Sequence, residues 1–348
     1  MKSNKILSKR EPFFSIIIPA YNCRKTIERL LNSIYANGLY RSEYEVIICN
    51  DKSTDNFLEL VTPYEEKMNI VYCETTRGFH CPGNTREAAL KYATGTWVVF
   101  IDNDDMFEVD ALATVKYYLE SNNVEYMICT NFREWNPETG EYTREFIGEQ
   151  TDTWLHGKFF NRRNVIEKFD VHFMDDLYSH EDVYFNSNVL GNLIGNDTDY
   201  IYCNFFTYKW VTNPESLSRS YFSTDHFYIE TYLNDYIYGA SEPYFQFFEK
   251  YPEKKSFYYH QIMITMLHAF FYFDASRYRL GNKFLSYNLS YIHDFKIRIC
   301  DRLGINEYDI INYIYSDPRL YNVIKANCVH GSNEFVETQS FKDFILSI

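Results

Sequence analysis

Over the first hundred positions, apolar residues gather in four short continuous runs separated by stretches with helical spacing. Phe13–Pro19, Tyr44–Cys49, Asn69–Cys73 and Trp97–Ile101 read as strands covered on both faces, since a strand with one wet face would alternate. Between them, Arg24–Ala36 places Ile27, Leu30, Leu31 and Ile34 on one helical face. Thr54–Lys67 reads as a helix with Ser53 as cap, and Pro82–Ala93 as a helix stopped by Gly95. The order βαβαβαβ predicts an α/β fold, a Rossmann-like, mostly parallel sheet flanked by helices. Ligands of such sheets sit outside the carboxyl ends of the strands.

Three of those ends are polar. The first strand runs into Ala20-Tyr21-Asn22, the second into Asn50-Asp51, and the fourth into Asp102-Asn103-Asp104-Asp105. Three carboxylates in four positions cannot stay inside a sheet without a counter-ion, because burying an unpaired carboxylate costs several kcal/mol or more. Mg²⁺ or Mn²⁺ is the simplest neutraliser, and such ions commonly share their oxygen ligands with a phosphate. The competing reading is an Asp-rich turn that caps a helix starting near Phe107, with Asp105 as the cap. No Gly-x-Gly-x-x-Gly follows the first strand and no Gly-Lys-Ser loop is present, so phosphate would be held by a metal and side chains.

Further on, Val124–Thr130 reads as a strand, and 132–160 as irregular, with turns at Trp135-Asn136-Pro137 and Thr139-Gly140. Ser179–Leu190 reads as a helix with Ser179 as N-cap and Asp182 three residues on, and Tyr200–Phe206 as a strand. Beyond about residue 222 the alternation stops and long aromatic-rich helical patterns run to the end. This divides the chain into a domain over 1–222 and a mainly helical C-terminal domain over 223–348. Within it, Ser256–Phe273 carries no formal charge and is nearly long enough to span a bilayer. Its His260, Gln261 and His268 and its dense aromatics favour a buried helix, or one resting on a membrane surface. Both histidines read as satisfied core residues rather than metal ligands.

Composition narrows the class. The 348 residues are 46% hydrophobic and 19% aromatic, ample for a core. A net charge of −14 argues against a protein that grips nucleic acid broadly and leaves room only for a local basic groove. The eight cysteines form no Cys-x-x-Cys pair, and Cys73 and Cys81 have only His80 nearby, so they read as reduced core thiols of a cytoplasmic protein. Met1–Glu11 is polar and basic, without the apolar region of a secretory signal.

Four blocks then match one pattern in order and spacing. Phe14-Ser15-Ile16-Ile17-Ile18-Pro19-Ala20-Tyr21-Asn22 resembles the opening of family 2 glycosyltransferases of the GT-A fold. Glu45-Val46-Ile47-Ile48-Cys49-Asn50-Asp51-Lys52-Ser53-Thr54-Asp55 resembles their "E-I-I-V-V-D-D-G-S-T-D" segment. Gly83-Asn84-Thr85-Arg86-Glu87-Ala88-Ala89 is loosely similar to "G-x-x-x-A-R-N-x-G", and Gly95–Asp105 to "G-E-Y-I-x-F-L-D-x-D-D". Trp154–Arg162 is similar to "W-x-K-L-Y-x-R", and His180-Glu181-Asp182 to the acidic pair that supplies a catalytic base. Asn50, Lys52 and Glu87 stand where the family pattern has an acid, a Gly and an Asn.

The resemblance implies a nucleotide-sugar-binding half over 13–112 and an acceptor-side half over 113–222. It implies a metal-dependent inverting transferase using a nucleotide-diphosphate sugar, UDP foremost, with a glycan, lipid-linked or other hydroxyl acceptor. Pro19, Tyr21, Asn22 and Asp51 would line the nucleotide pocket, Tyr21 offering a face to the base and Asp51 accepting from base or ribose. Alternatively Tyr21 and Asn22 are turn residues and Asp51 caps the helix at Thr54. Arg86 would face the diphosphate or a pocket carboxylate. Asp104 would contact Mn²⁺ or Mg²⁺ directly, and Asp102 would bind ribose or the metal through water, with Asn103 between them. Asp182, or Glu181, would be the general base. Trp154, His156 and Lys158 would touch the acceptor, and the C-terminal helices would bind acceptor, a membrane surface or a second subunit. The rival readings are a metal-dependent nucleotidyltransferase and a non-catalytic sugar-binding protein.

Overall fold

In the computed structural model of the protein, four strands, β1 (Phe14–Ala20), β2 (Tyr44–Asn50), β3 (Ile70–Glu74) and β4 (Trp97–Phe100), lie parallel in the order β3-β2-β1-β4. The residues described are 11–76, 78, 81–148, 154–175, 177–213, 226–280, 285–322, 324 and 338–348. β1, β2 and β4 are buried at every position, which is why their sequences do not alternate. Helix α1 (Ile27–Tyr35) buries the Ile27, Leu30, Leu31 and Ile34 face expected of it. Helix α3 (Pro82–Leu90) opens with Pro82, whose missing N–H costs nothing in a first turn.

The sheet continues as a mixed one. β4 pairs antiparallel with β8 (Lys158–Asn161), and β8 with β6 (Met127–Asn136). β6 runs parallel to β9 (Ile201–Val211), and β9 antiparallel to β5 (Met106–Phe107). β7 (Glu141–Phe146) folds back on β6, giving nine strands.

At the start of β4 the buried Glu45 carboxylate gathers four donors. It accepts from Ser15 Oγ (2.7 Å), Thr94 N (2.6 Å), Thr94 Oγ1 (3.0 Å) and Gly95 N (3.2 Å). A Cβ on Gly95 would lie 2.6 Å from the backbone of Phe14 and Ser15, so only glycine fits this crossing. The clamp fixes where β4 begins and hence where its acidic end emerges.

Three sequence expectations change. The helix expected over Thr54–Lys67 shrinks to α2 (Leu58–Val61) and a 3₁₀ turn at Thr62–Tyr64. Asn56 sits at φ 55°, and the Asp55 carboxylate accepts the Arg24 (2.7 Å) and Phe57 (3.3 Å) N–H groups, which holds this stretch out of a helix. The helix expected near Phe107 starts instead at Ala111 as α4 (Ala111–Asn122), because Met106 and Phe107 pair with β9. Within the irregular stretch expected over 132–160, 132–136 extend β6 and β7 completes a hairpin around Gly140 at φ 72°.

Packing divides the chain into two units, the first over Met1–Asp176 and Asn196–Glu215, the second over Leu177–Gly195 and Ser216–Ile348. The second is helical: α5 (Glu181–Gly195), α6 (His226–Lys250), α7 (Lys255–Leu280), α8 (Leu285–Leu303), α9 (Glu307–Ser316) and α10 (Thr338–Ser347). Its core includes Ile262, Met266, Phe270, Ile292, Phe295 and Ile314. The α7 histidines are satisfied core residues: His260 Nδ1 lies 3.1 Å from Tyr313 Oη, and His268 Nδ1 3.0 Å from Tyr236 Oη. No described helix is long and apolar enough to cross a membrane. Seven described cysteines are free thiols, all buried but the half-buried Cys300; Cys328 and His80 lie outside the described residues.

Candidate active site at the carboxyl edge of the sheet

The polar ends of β1, β2 and β4 meet at one edge, as their parallel register requires. After β2, the Asp51 N–H bonds Ala20 O (2.8 Å), and the buried carboxylate accepts from Thr75 Oγ1 (2.6 Å), just past β3. No helix begins at Thr54 for Asp51 to cap, since α2 starts at Leu58 with Phe57 at its N-cap. The rule that directed attention to the other strand ends, applied to β3, points to Glu74 and Thr75. Asn22, at φ 45°, accepts from Thr54 N (2.8 Å) and donates its own N–H to Ser53 Oγ (3.0 Å), which ties the β1 loop to the β2 loop. Tyr21 stands 41% exposed beside it.

The departures at Asn50 and Lys52 are compensated together. Lys52 adopts φ 58°, a conformation that favours glycine, and its ammonium pairs with Glu74 at 2.8 Å. Asn50 Nδ2 donates to the other Glu74 oxygen (3.3 Å), and Asn50 Oδ1 accepts from Ser53 N (3.0 Å). Glu87 accepts from Phe173 N (3.0 Å) and lies 3.0 Å from His172 Nδ1, which fastens that segment to α3 beside Arg86.

Beyond β4 each acidic position has its own partners. Asp102 Oδ1 accepts from the buried Arg86 at 2.5 Å, and Oδ2 faces His156 Nε2 at 3.9 Å. Burial would raise the Asp102 carboxyl, but the Arg86 guanidinium and His156 outweigh it and hold it far below the usual carboxylate range. Asn103 Nδ2 donates to Pro19 O (3.0 Å), so Pro19 and the acidic turn are locked together. Asp104 accepts from Asn213 Nδ2 (2.9 Å), and its backbone carbonyl from Arg29 Nη2 (2.5 Å). Burial, then the Asp102 charge, push the Asp104 carboxyl up.

Asp105 differs from its expected role as a helix cap. It is 2% exposed; Oδ1 accepts from Val211 N (2.7 Å), and Oδ2 from the Tyr208 hydroxyl. It docks β9 against the end of β4. Burial, then Asp104 and Asp102, push its carboxyl well above the usual range, and burial together with Asp105 does the same to the Tyr208 phenol. These partners stand 103 and 106 residues away, so no local signal could reveal them.

His156 completes the cluster. Its ring stacks on Tyr208 (4.3 Å between centroids) and Trp154 (5.6 Å), and burial pushes its pKa down against the pull of Asp102. Trp154 also lies 5.2 Å from Trp210 and is only partly buried. Lys158, expected at the acceptor, is instead 0% exposed on β8, and its ammonium donates to the Trp154 carbonyl. It holds the 154–156 segment in place.

Donor atoms of Asp102, Asp105 and His156 all lie within 4.8 Å of one another. Two carboxylates and an imidazole are a donor set that a divalent cation could use, with His156 Nε2 the ring nitrogen that faces both acids. The two acids pushed up, Asp104 and Asp105, are those a cation would hold ionised.

Glu181 and Asp182 belong to the second unit. They open α5, where Asp182 Oδ1 accepts from Val183 N (2.8 Å) and Glu181 is buried. The expected Ser179 cap is otherwise engaged: its Oγ lies 3.1 Å from His180 Nδ1 and 3.4 Å from Asp235 Oδ2.

Comparison with known proteins agrees with this geometry. Residues 15–179 match the sequence profile of Glycosyl transferase family 2. Poly(ribitol-phosphate) beta-N-acetylglucosaminyltransferase TarS of Staphylococcus aureus (strain MW2) is 27% identical over 227 residues, 62% of this chain and 38% of TarS. The chain thus spans well under half the length of that relative. UDP-Glc:alpha-D-GlcNAc-diphosphoundecaprenol beta-1,3-glucosyltransferase WfaP of Escherichia coli is 32% identical over 128 residues, 34% of this chain and 46% of WfaP. The crystal structure of S. aureus TarS 1-349 in complex with UDP-GlcNAc shares the fold, with a TM-score of 0.53 and 18% identity over 84% of this chain and 92% of that one.

Proposed function

We propose that this chain transfers a sugar from a UDP-sugar to a hydroxyl acceptor, with inversion at the anomeric carbon and with the help of Mn²⁺ or Mg²⁺. The observation that carries the reading is the convergence of Asp51–Thr75, Pro19–Asn103 and Arg86–Asp102–His156 at one sheet edge. Relatives named for N-acetylglucosaminyl and glucosyl transfer, one of them named for UDP-Glc, support the donor class.

In this reading Asp51 accepts an N–H or O–H of the nucleoside, Thr75 fixes its carboxylate, and Tyr21 covers the base. Asp102, Asp104, Asp105 and His156 are the candidate cation ligands. When bound, the cation offsets charge on the leaving diphosphate. Asp182 or Glu181 takes the proton of the acceptor hydroxyl as its oxygen attacks the anomeric carbon and the bond to the diphosphate breaks on the opposite face. Trp154 offers an aromatic face to the acceptor, a hydroxyl of a glycan, a polyol phosphate or a lipid-linked sugar.

Isothermal titration with UDP, with and without Mn²⁺, tests this. UDP should bind in preference to ADP, more tightly with Mn²⁺, and Asp104→Asn should weaken the Mn²⁺ effect. Equal affinity for UDP and ADP, or UDP binding that ignores Mn²⁺ in the wild-type protein, would refute it.

A further inference from the structure

The segment that leads into Glu181 and Asp182 is held by a buried side chain far along the sequence. Asp235 on α6 is 4% exposed, and its Oδ2 accepts the N–H groups of Tyr178 and Ser179, both at 3.1 Å, and faces the Ser179 hydroxyl at 3.4 Å. The next residue, His180, adopts φ 58°, a strained conformation for a side chain of this size unless its surroundings enforce it. Those surroundings are α6 again. The His180 ring packs edge-on against Tyr232 (4.3 Å) and Tyr236 (5.2 Å), and burial holds its imidazole neutral, down to about 3.

Gly239, one turn further along α6, lets the two backbones approach. A Cβ there would lie 2.9 Å from His180 O, the carbonyl that accepts Tyr184 N (3.1 Å) in the first turn of α5. One face of α6 thus supplies an acceptor, two aromatic walls and a gap, all directed at residues 178–180. A surface carboxylate would serve as an ordinary cap. A buried one is a costly choice for a structural role, since an apolar helix face would pack as well.

We propose that Asp235 is a positioning residue, which by fixing the backbone of 178–180 aims the carboxyl groups of Glu181 and Asp182. The inference rests on the reading that those acids supply the base. Burial, reinforced by the Glu181 charge, pushes the Asp235 carboxyl up to about 6 against the N–H groups that lower it. Facing it are the Tyr178 and Ser179 amides, the Ser179 hydroxyl and the Glu181 charge; from α7, His268 lies 3.0 Å from the Tyr236 hydroxyl. The hold therefore weakens as pH falls through about 6.

The test uses the full chain with UDP-N-acetylglucosamine and Mn²⁺, water as acceptor, and UDP release as the readout. Asp235→Ala should lower kcat at least 10-fold while the donor KM stays within about twofold, because none of the residues assigned to the donor lies in this segment. Asp235→Asn, which keeps an acceptor oxygen but not the titration, should recover kcat to within about threefold and lose the decline of kcat near pH 6. Wild-type kcat in Asp235→Ala, or equal loss in both variants, would overturn the proposal. Should Asp235→Ala not fold, Gly239→Ala pushes on the His180 carbonyl at the end of the same segment and should lower kcat at unchanged KM; unchanged kcat there overturns it equally. Exchange at the Tyr178 and Ser179 amides, about 10-fold faster in Asp235→Ala, reports the hold without reference to chemistry. Full activity in both Asp182→Asn and Glu181→Gln would defeat the base reading, whereas unchanged amide exchange would defeat the positioning.

Discussion

Replacing Asp105 with Asn distinguishes two cation geometries and has an effect on stability that can be worked out in advance. The donor atoms of Asp102 and Asp105 lie within 4.8 Å, where two carboxylates repel by ~3.5 kcal/mol at an effective dielectric constant of about 20. Arg86 and His156 hold Asp102 ionised against burial, so the strain falls on Asp105, which burial, Asp104 and Asp102 push well above the usual range. A carboxyl raised in the folded state binds its proton more tightly folded than unfolded. Stability therefore falls as pH rises from the ordinary carboxylate value through the raised one. Asparagine keeps the shape, accepts from Val211 N, and donates to the Tyr208 oxygen in place of accepting from it. It loses a charge-assisted bond worth about 1 kcal/mol more than a neutral one. The net expectation for Asp105→Asn is a gain of ~1–3 kcal/mol at pH 7 that shrinks toward zero near pH 4. Urea unfolding followed by tryptophan fluorescence measures it directly, because the 4 tryptophans, at 97, 135, 154 and 210, all lie in the first unit. Repeating the experiment with Mn²⁺ assigns the ligands. If Asp102, Asp105 and His156 take the ion, Mn²⁺ stabilises Asp104→Asn but not Asp105→Asn; the reverse pattern assigns the ion to Asp102 and Asp104. A variant less stable than wild type at pH 7, or a difference indifferent to pH, would refute the reasoning.

Two further outcomes follow from the site. Asp51→Ala removes a nucleoside acceptor and should weaken metal-free UDP binding by ~1–3 kcal/mol, measured by titration, with Thr75→Val weakening it less; unaltered affinity in Asp51→Ala excludes the contact. Asp182→Asn should retain UDP and Mn²⁺ affinity but lose about 10²–10⁴ in turnover, against ~0.3–1 kcal/mol of stability for one charge at a helix N-terminus; turnover above a tenth of wild type removes Asp182 from the mechanism.

The parallel half of the sheet is legible because β1, β2 and β4 are covered on both faces, and a short uninterrupted apolar run between turn residues fits a doubly covered strand and little else. The β6–β7 hairpin escapes notice because Arg133, Glu134, Glu141, Arg144 and Glu145 make a partly wet ribbon whose strand character lies in its pairing. The site divides the same way. Asp102, Asp104 and Asp51 stand at strand ends and can be found by position alone. Tyr208, Asn213 and Asp235 act across 57 to 109 residues, and no pattern within one element encodes such a meeting. Lys158 misleads for a related reason: its sequence matches a family motif, but burial sends its ammonium to a carbonyl.

The docking of Asp105 onto β9 also sets an order in time. Val211 leaves the ribosome 106 residues after Asp105, an interval of about 5–20 s at ordinary rates of synthesis. Throughout it, three adjacent carboxylates stand at the edge of a sheet that lacks β9, the strand whose hydroxyl and amide complete Asp105. Before β9 arrives, α5 has been made and belongs to the other packing unit. The helices that α5 packs with begin only at residue 226, after β9, so the strand that closes the first core is made before the second core can form. If the cluster takes a cation, as proposed, an ion that enters early would meet acids still open to water.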